Sequence, residues 1–468
     1  MPVSQSETDT ICAIATSQGR SGVGIIRVSG TKTASIAAEI LGFTPRPRYA
    51  HYCKFQDSKQ QVIDQGIALF FQGPNSFTGE DVLEIQGHGG VFVLSALRDL
   101  VLSKGARLAK PGEFSERAFL NNKIDLLQAE AIADLIDASS HQAARSAMRT
   151  LQGEFSRLVK ELVRRLVAIR VNVEAAIDFS DEDIDVLSDT GVAQALKETL
   201  TLLTKTLNQA QQGALLLEGI NVVIAGKPNA GKSSLLNALS GKQSAIVTAI
   251  PGTTRDILRE QITIQGIPLH IFDTAGLRRS DDEVEQEGVR RALVAIDQAD
   301  RVLLVVDCAE REEPVKTLLA PLLTSGDNQT DSSQLLSRTT IVFNKSDLLE
   351  ESLVSPDTLL KGSLKLPTVT ISAKTGAGVE GLTQHLLDCI GYNVGDESVF
   401  TARERHIRAL DISSKLINKA LHGVSERLPL ELVAEDLRLS QESLGTITGE
   451  FTSDDLLGEI FANFCVGK

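Results

Sequence analysis

Apolar residues follow three regimes along the chain. In residues 1–122 they form short runs, Ile11-Cys-Ala-Ile-Ala, Gly24-Ile-Ile-Arg-Val and Ile67-Ala-Leu-Phe-Phe, bounded by Gly, Ser and Pro clusters, which is a strand pattern. Thr33 to Leu41 and Val91 to Ser103 carry helical spacing. Both kinds in one small segment predict an α+β domain. From about residue 123 the strand signals vanish. Leu126 to Met148 is rich in Ala, Leu, Ile and Glu, and Phe155, Leu158, Val159, Leu162, Val163, Leu166 and Val167 recur at helical spacing. A further helical pattern spans Val192 to Leu217. Residues 219–390 alternate apolar runs with helices. Ala402 to Leu421 and Leu428 to Phe464 are helical again. Helical stretches on both sides of an α/β module predict one all-α domain, 123–218 and 391–468, with the module at 219–390 inserted into it. Inserted modules have their termini close together, so movement in the module could pass to the helices.

The module carries the chemistry. Gly226-Lys-Pro-Asn-Ala-Gly231-Lys232-Ser233 follows the apolar run Asn221-Val-Val-Ile-Ala and opens the helical run Ser234-Leu-Leu-Asn-Ala-Leu. Strand, glycine-rich loop and helix in that order form a P-loop. Its backbone N–H groups can face a phosphate, the helix N-terminus adds partial positive charge, Lys232 can reach the outer phosphates and Ser233 can ligate Mg²⁺. Thr248-Ala-Ile-Pro-Gly-Thr-Thr-Arg-Asp256 sits where a switch segment belongs, with Thr254 the candidate second Mg²⁺ ligand. Leu269-His-Ile-Phe-Asp273-Thr274-Ala275-Gly276 reads as a strand ending in a γ-phosphate sensor. Thr340-Ile-Val-Phe-Asn344-Lys345-Ser-Asp347 ends a strand in Asn-Lys-x-Asp, where a carboxylate accepts the N1–H and 2-amino donors of guanine; adenine offers no such pair. Thr368-Val-Thr-Ile-Ser372-Ala373-Lys374 can donate a backbone N–H to the guanine O6. Five such segments in order predict a Ras-like GTPase module. The expected nucleotide contacts are Asn229, Ala230, Gly231, Lys232, Ser233 and Ser234 in the loop, with Thr248, Ala249, Ile250, Pro251, Gly252, Thr253 and Thr254 in the switch. Asp273, Thr274, Ala275 and Gly276, then Asn344, Lys345 and Asp347, then Ser372, Ala373 and Lys374 complete the set.

One position breaks the Ras pattern. Where a Ras-like enzyme carries Gln to orient the attacking water, this chain has Leu277. Hydrolysis therefore needs another water-positioning group and another source of positive charge. The Asn229 side-chain carbonyl could help coordinate a monovalent cation beside the phosphates; equally, it could only satisfy the loop backbone. The acidic run Asp281-Asp-Glu283-Val-Glu285 could supply a carboxylate to hold water, or form a solvated helix start.

Composition narrows the partners. With 468 residues the chain has room for about three domains. Lys+Arg 47 against Asp+Glu 61 leaves a net charge of −14, which excludes a general nucleic-acid sponge; any RNA must meet a local basic face. Lys160, Arg164, Arg165 and Arg170 fit a solvated helix face. Cys12, Cys53, Cys308, Cys389 and Cys465 show no CxxC and no metal spacing, which fits a reducing compartment. No signal pattern and no run of ~20 apolar residues is present, so a cytoplasmic protein is expected.

Several segments together resemble the MnmE (TrmE) family of bacterial tRNA-modification GTPases: Gly-Pro-Asn-Ser-Phe-Thr-Gly-Glu-Asp at 73–81, Gln-Gly-His-Gly-Gly at 86–90, Pro-Gly-Glu-Phe-Ser-Glu-Arg-Ala-Phe at 111–119, Gln-Ala-Glu-Ala-Ile-Ala-Asp-Leu-Ile-Asp-Ala at 128–138, the P-loop, and the terminal Phe-Cys-Val-Gly-Lys. The resemblance spans essentially the whole chain. It implies an N-terminal α+β domain, residues 1–122, that dimerises and binds folate. It also implies a homodimer working with an FAD-containing partner, MnmG, in a heterotetramer that installs an aminomethyl or carboxymethylaminomethyl group on C5 of the wobble uridine of tRNA. The one-carbon unit would come from 5-formyltetrahydrofolate or a related tetrahydrofolate, held by Arg27, Glu84, Lys123 and Lys468. K⁺ would be held by Asn229, Thr248, Ile250 and Thr253, and the water-positioning carboxylate falls on Glu285. Lys232 and Cys465 complete the catalytic set, Cys465 as a nucleophile or redox group if its surroundings are electropositive. The competing readings are a ribosome-assembly or translation-linked GTPase switch, and a folate-dependent transferase in which the GTPase is incidental.

Overall fold

The computed structural model describes residues 9–17, 19–178, 191–241, 259–273, 294–310, 332–349, 366–392, 399–450, 454–462, 464 and 467. The chain forms two compact units, one of residues 1–136, 148–204 and 408–468, the other of residues 137–147 and 205–407. Among the described residues no helix is long and apolar enough to cross a membrane.

The first unit is built on a six-stranded sheet: β1 (Ile11–Ile14), β2 (Ser21–Ser29), β3 (His51–Gln56), β4 (Val62–Phe71), β5 (Val82–Gly89) and β6 (Arg107–Leu108), in the order β3-β4-β5-β2-β1-β6. All pairs are antiparallel except β1 with β6. Strand alternation decides the faces. Ile26 and Val28 of β2 and Leu83 and Ile85 of β5 point to one side. There they pack with Ile36, Ala37 and Ile40 of the helix Thr33–Leu41 and with Leu94, Leu97 and Val101 of the helix Val91–Ser103. Arg27 and Glu84 must therefore face the other side. On that side Ile11 and Ala13 pack with Ala109 and Phe114.

The same unit holds the long helices. Phe155, Val159, Leu162, Leu166, Ile169 and Val173 form a stripe spaced three or four apart on the helix Glu154–Asp178. It packs on the helix Leu430–Thr448, which buries Val433, Leu437, Leu444 and Ile447. Polar pairs set the register: Ser413 Oγ lies 2.6 Å from Ser440 Oγ, and Lys419 Nζ donates to Asp436 at 2.7 Å. The four basic residues read as a solvated face are paired. Arg164 and Arg165 meet Glu161, Lys160 lies 3.6 Å from Asp125, and Arg170 meets Glu174 and Gln441.

The second unit carries a sheet of β7 (Ile220–Ala225), β8 (Arg259–Ile264), β9 (Ile267–Asp273), β10 (Arg301–Asp307), β11 (Thr339–Asn344) and β12 (Thr368–Thr370), in the order β12-β11-β10-β7-β9-β8. Every pair is parallel except the β8–β9 hairpin. Helices cover both faces, so the central strands are buried throughout: Val222 and Ile224 meet Leu235 and Leu382 on one side, Val223 and Ala225 meet Ile296 and Leu335 on the other. β7 lies between β9 and β10, where the strand order reverses, and a doubly wound sheet opens its ligand crevice at that point.

An ion network centred on the buried pair Arg117 and Glu113 ties the first unit together. Arg117, 7% exposed, donates to Asp9, Glu80 and Glu113; Arg107 donates to Asp9 and Glu113. Glu80 also accepts from Ser29 Oγ at 2.7 Å, which anchors the segment 73–81. Burial alone would raise the Glu113 pKa, but hydrogen bonds from Arg107, the Lys110 N–H and Arg117 outweigh it and hold Glu113 below its ordinary 4.5. A depressed carboxylate stabilises the fold fully above pH 4.5 and loses that contribution as pH falls through the folded-state value. Glu113→Gln is expected to cost about 3 kcal/mol at neutral pH, because two arginines lose a charged partner. Urea unfolding of both proteins at about pH 7 and about pH 4 checks this: the gap should narrow at the lower pH.

Candidate functional site

The loop after β7 has the shape a phosphate needs. Gly226 and Gly231 take φ of 146° and 95°, and Asn229 takes 65°, a left-handed value uncommon for a residue with a side chain. Gly226 cannot be replaced simply, since a Cβ there would lie 2.3 Å from the Val305 carbonyl oxygen. Lys232 opens the helix Lys232–Gly241, and its Nζ donates to the Gly226 and Lys227 carbonyls at 2.9 and 3.1 Å. The lysine thus lies over the loop, its ammonium held by two backbone oxygens. Ser233 and Ser234 are exposed on the first helical turn, while Ala230 is buried. Asp273 ends β9 in register with Ile224 of β7, which brings its backbone beside the loop.

The base-recognition segments converge on Asn344. This residue ends β11 and is 2% exposed. Its Nδ2 donates to the Ala230 carbonyl at 2.9 Å, and its Oδ1 accepts the N–H groups of Lys345 and Ala373 at 2.8 and 3.0 Å. One side chain therefore joins the P-loop, its own turn and the loop after β12. Gly231 makes room for it: a Cβ there would sit 2.2 Å from Asn344 Nδ2. Ser372 Oγ donates to Asp347 Oδ1 at 2.6 Å and orients that carboxylate; the Thr375 N–H in turn reaches Ser372 Oγ at 3.2 Å. Lys374 follows on the exposed rim.

One member of this constellation was not foreseen from the sequence. Asp307 ends β10 in register with Asn344; its Oδ2 accepts from Lys345 Nζ at 2.6 Å and its Oδ1 from the Ala309 N–H at 3.0 Å. Burial opposes its charge, but Lys345 and the Ala309 N–H outweigh burial and hold its pKa below 3.8. The available signal was a carboxylate closing an apolar strand, the same signal that singled out Asp273.

Thr248, Ala249, Ile250, Pro251, Gly252, Thr253, Thr254, Thr274, Ala275, Gly276, Leu277, Glu283 and Glu285 lie outside the described residues, as do Cys465 and Lys468.

A second polar site sits in the first unit. Arg27 on β2 and Glu84 on β5 are register partners, and Arg27 Nε and Nη2 reach Glu84 Oε1 at 3.1 and 2.9 Å. The pair is partly buried, with side-chain exposures of 24% and 16%. Gln86 Nε2 lies 3.4 Å from Glu84 Oε2. The Arg27 guanidinium lies 5.8 Å from the Phe114 ring centre and 6.0 Å from that of Phe77, and its Nη1 donates to the Gly467 carbonyl at 3.3 Å. The carboxy-terminal segment thus reaches this site through Gly467. Lys123 Nζ donates to the Pro74 carbonyl at 2.9 Å, in the same 73–81 segment that carries Phe77. A carboxylate and a guanidinium flanked by two aromatic rings suit a flat heterocycle with donor edges. Among the described residues no group of three or more His, Cys, Asp or Glu side chains could hold a metal ion.

A P-loop at the switch point of a doubly wound sheet, joined through Asn344 to an Asn-Lys-x-Asp segment, defines a P-loop GTPase module. The sequence comparisons give the family. The helical domain of MnmE matches residues 126–465, and the N-terminal domain of the GTP-binding protein TrmE matches residues 10–123. A tRNA modification GTPase MnmE of Marinomonas sp. (strain MWYL1) is 53% identical over 466 residues, covering 99% of this chain and 98% of that protein. The protein of the same name from Hydrogenovibrio crunogenus is 54% identical over 463 residues, 99% of each chain. That of Pseudomonas aeruginosa (strain PAO1) is 54% identical over 467 residues, 99% of this chain and all of that protein. The chain belongs to the MnmE (TrmE) family of tRNA modification GTPases, and it is a GTP hydrolase with an N-terminal α+β domain, a helical domain and an inserted Ras-like module.

Proposed function

We propose that the chain is a K⁺-dependent GTP hydrolase that works, as a homodimer in the cytoplasm, with an FAD-containing protein of the MnmG type. Together they install an aminomethyl or carboxymethylaminomethyl group on C5 of the wobble uridine of tRNA. The observation that carries the proposal is identity of 53–54% along 98–99% of the chain to proteins named tRNA modification GTPase MnmE.

In the GTPase module Lys232 meets the outer phosphates, leaving the Gly226 and Lys227 carbonyls that now hold it. Ser233 and Thr254 are hard oxygen ligands of the kind Mg²⁺ takes. Asp347, oriented by Ser372, accepts the two donors of the guanine edge. The left-handed backbone at Asn229 supports a role for its side chain beyond ordinary loop packing, since such conformations cluster at ligand sites. Asn229, with Thr248, Ile250 and Thr253, would hold K⁺, which would supply there the positive charge that an arginine finger supplies in other GTPases. Glu285 positions the attacking water in place of the glutamine that Leu277 lacks.

In the N-terminal domain Glu84 accepts the N–C–N edge of a tetrahydrofolate pterin. Arg27 and the Phe77 and Phe114 rings bound the same space. Lys123 and Lys468 meet the anionic tail, and Cys465 acts beside the one-carbon unit. The bound tetrahydrofolate would supply that unit; this chain's residues orient it.

Two measurements test the reading. GTP turnover should be far faster in K⁺ than in Na⁺, and Asn229→Ala should lose most of that gain and still bind GTP. Glu285→Ala should slow turnover about a hundredfold at saturating GTP with nucleotide affinity retained, and Glu283→Ala should be mild. Equal rates in the two salts, or an unaffected Glu285 variant, would remove the corresponding role. In calorimetry with 5-formyltetrahydrofolate, Glu84→Ala should weaken binding by about 1–3 kcal/mol while GTP turnover holds; undiminished affinity would remove the folate site.

A further inference from the structure

The edge of the N-terminal sheet carries a cluster that neither proposed site uses. Residues 43–56 contain three basic residues, Arg46, Arg48 and Lys54, two tyrosines and no acidic residue, in a chain whose net charge is −14. Tyr49 and Tyr52 are 56% and 73% exposed, and Phe43 is 39% exposed. Three large rings open to solvent, one on the edge strand β3 and two in the segment that leads into it, would be a liability without a purpose.

The cluster is also held rigid. The His51 ring lies 5.0 Å from Phe43 and 4.8 Å from Tyr49, edge-on to the latter, and its Nε2 accepts the Arg46 N–H at 2.9 Å. Arg48 takes a left-handed φ of 59°, with its N–H bound to the Phe70 carbonyl at 2.7 Å. An arginine in a conformation that glycine adopts more readily is strain retained at the surface. Pro45 and Pro47 stiffen the same turn.

Register places the cluster near the site read as one-carbon binding. Tyr52 pairs with Ile67, and Ile67 pairs with Gln86. Directly paired residues share a sheet face, so Tyr52 lies on the face of Gln86 and Glu84, about 10 Å from β5 by two strand spacings. Arg48 Nη2 donates to the Asn75 carbonyl at 2.6 Å, one residue from the Pro74 carbonyl that Lys123 holds.

We propose that this Arg-Tyr face, centred on Tyr49 and Tyr52 with Arg46, Arg48 and Lys54, is the surface on which single-stranded nucleotides of tRNA dock beside the Arg27–Glu84 site. Exposed tyrosine rings stack unpaired bases, and the arginines meet the flanking phosphates. A base stacked on Tyr52 lies on the same face as Glu84, which a one-carbon transfer to a uridine requires. Self-pairing of this face across a two-fold would bring its own positive charges together, so RNA is the better-matched occupant. The proposal rests on the tRNA reading above.

Titration of a labelled, unmodified tRNA transcript with the full-length protein, at about 50 and about 200 mM salt, tests it. The parent should bind with affinity that falls as salt rises. Arg46→Ala with Arg48→Gly should weaken binding about tenfold or more and lower the salt slope by about 1–2. Tyr52→Ala should cost about tenfold, and Tyr52→Phe, which keeps the ring, much less. GTP turnover in K⁺ and the urea midpoint serve as fold controls. Parental affinity and salt slope in the variants would overturn the proposal. So would variants that turn from dimer to monomer in sedimentation with tRNA affinity intact, since the face would then join two copies. A parent that binds no tRNA under either salt would remove the tRNA reading itself along with this surface.

Discussion

The nucleotide site depends on one buried amide. Asn344 ends the strand β11 and makes three hydrogen bonds to backbone: to the Ala230 carbonyl of the P-loop on one side, and from the N–H groups of Lys345 and Ala373 on the other. Phosphate-binding and base-binding loops come from opposite ends of the module's sequence, and the described structure fastens them through this side chain. The constraint propagates. Gly231 must lack a Cβ because the amide occupies that space, and Lys345 takes a left-handed φ of 67°, its ammonium held by Asp307. Asp347 then stands two residues on, fixed by Ser372. Removing a partner from so buried a polar group leaves the others unsatisfied, so such networks rigidify when complete and fail together.

In the N-terminal unit the corresponding constraint is strand alternation. Packing Ile26, Val28, Leu83 and Ile85 under two helices leaves Arg27 and Glu84 no choice of face, and the β2–β5 register sets them opposite each other. The Arg117 network anchors the 73–81 segment through Glu80. That segment carries Phe77 to the Arg27 guanidinium and offers the Pro74 carbonyl to Lys123. The two sites thus follow one logic: a rigid sheet supplies positions, and a small number of buried polar groups tether the loops.

Much of this was legible in the sequence because it is local. β1, β2, β4 and the helices Thr33–Leu41 and Val91–Ser103 follow from runs of a few residues, and the strands that end at Ala225, Asp273 and Asn344 follow from apolar runs closed by motif residues. β3 escaped because His51-Tyr-Cys-Lys-Phe-Gln is an edge strand with only Phe55 fully buried, so its alternation is faint. β5 escaped because its alternating Val82-Leu-Glu-Ile runs into Gly-His-Gly, which reads as a turn; a Cβ at Gly87 would lie 2.5 Å from Asp64 Oδ2, the atom that accepts the His88 N–H. The run from Leu126 is two helices, Leu126–Asp137 and His141–Leu151, with Ser140 Oγ accepting the Ala143 N–H at the second start. The Arg117–Asp9 and Lys345–Asp307 pairs were not legible at all, because their partners lie 108 and 38 residues apart and only the fold joins them.

On the proposed reading, Asp347 selects guanine in a site tied together by Asn344. Xanthine carries a carbonyl where guanine carries its 2-amino group, so an Asn at position 347 matches xanthine and mismatches guanine. Steady-state turnover of Asp347→Asn with GTP and with xanthosine triphosphate, in K⁺ and Mg²⁺, tests this most directly. GTP use is expected to weaken by about ten- to a hundredfold, with turnover recovered on the xanthine nucleotide. Parental kinetics with GTP and no gain with xanthosine triphosphate would contradict it.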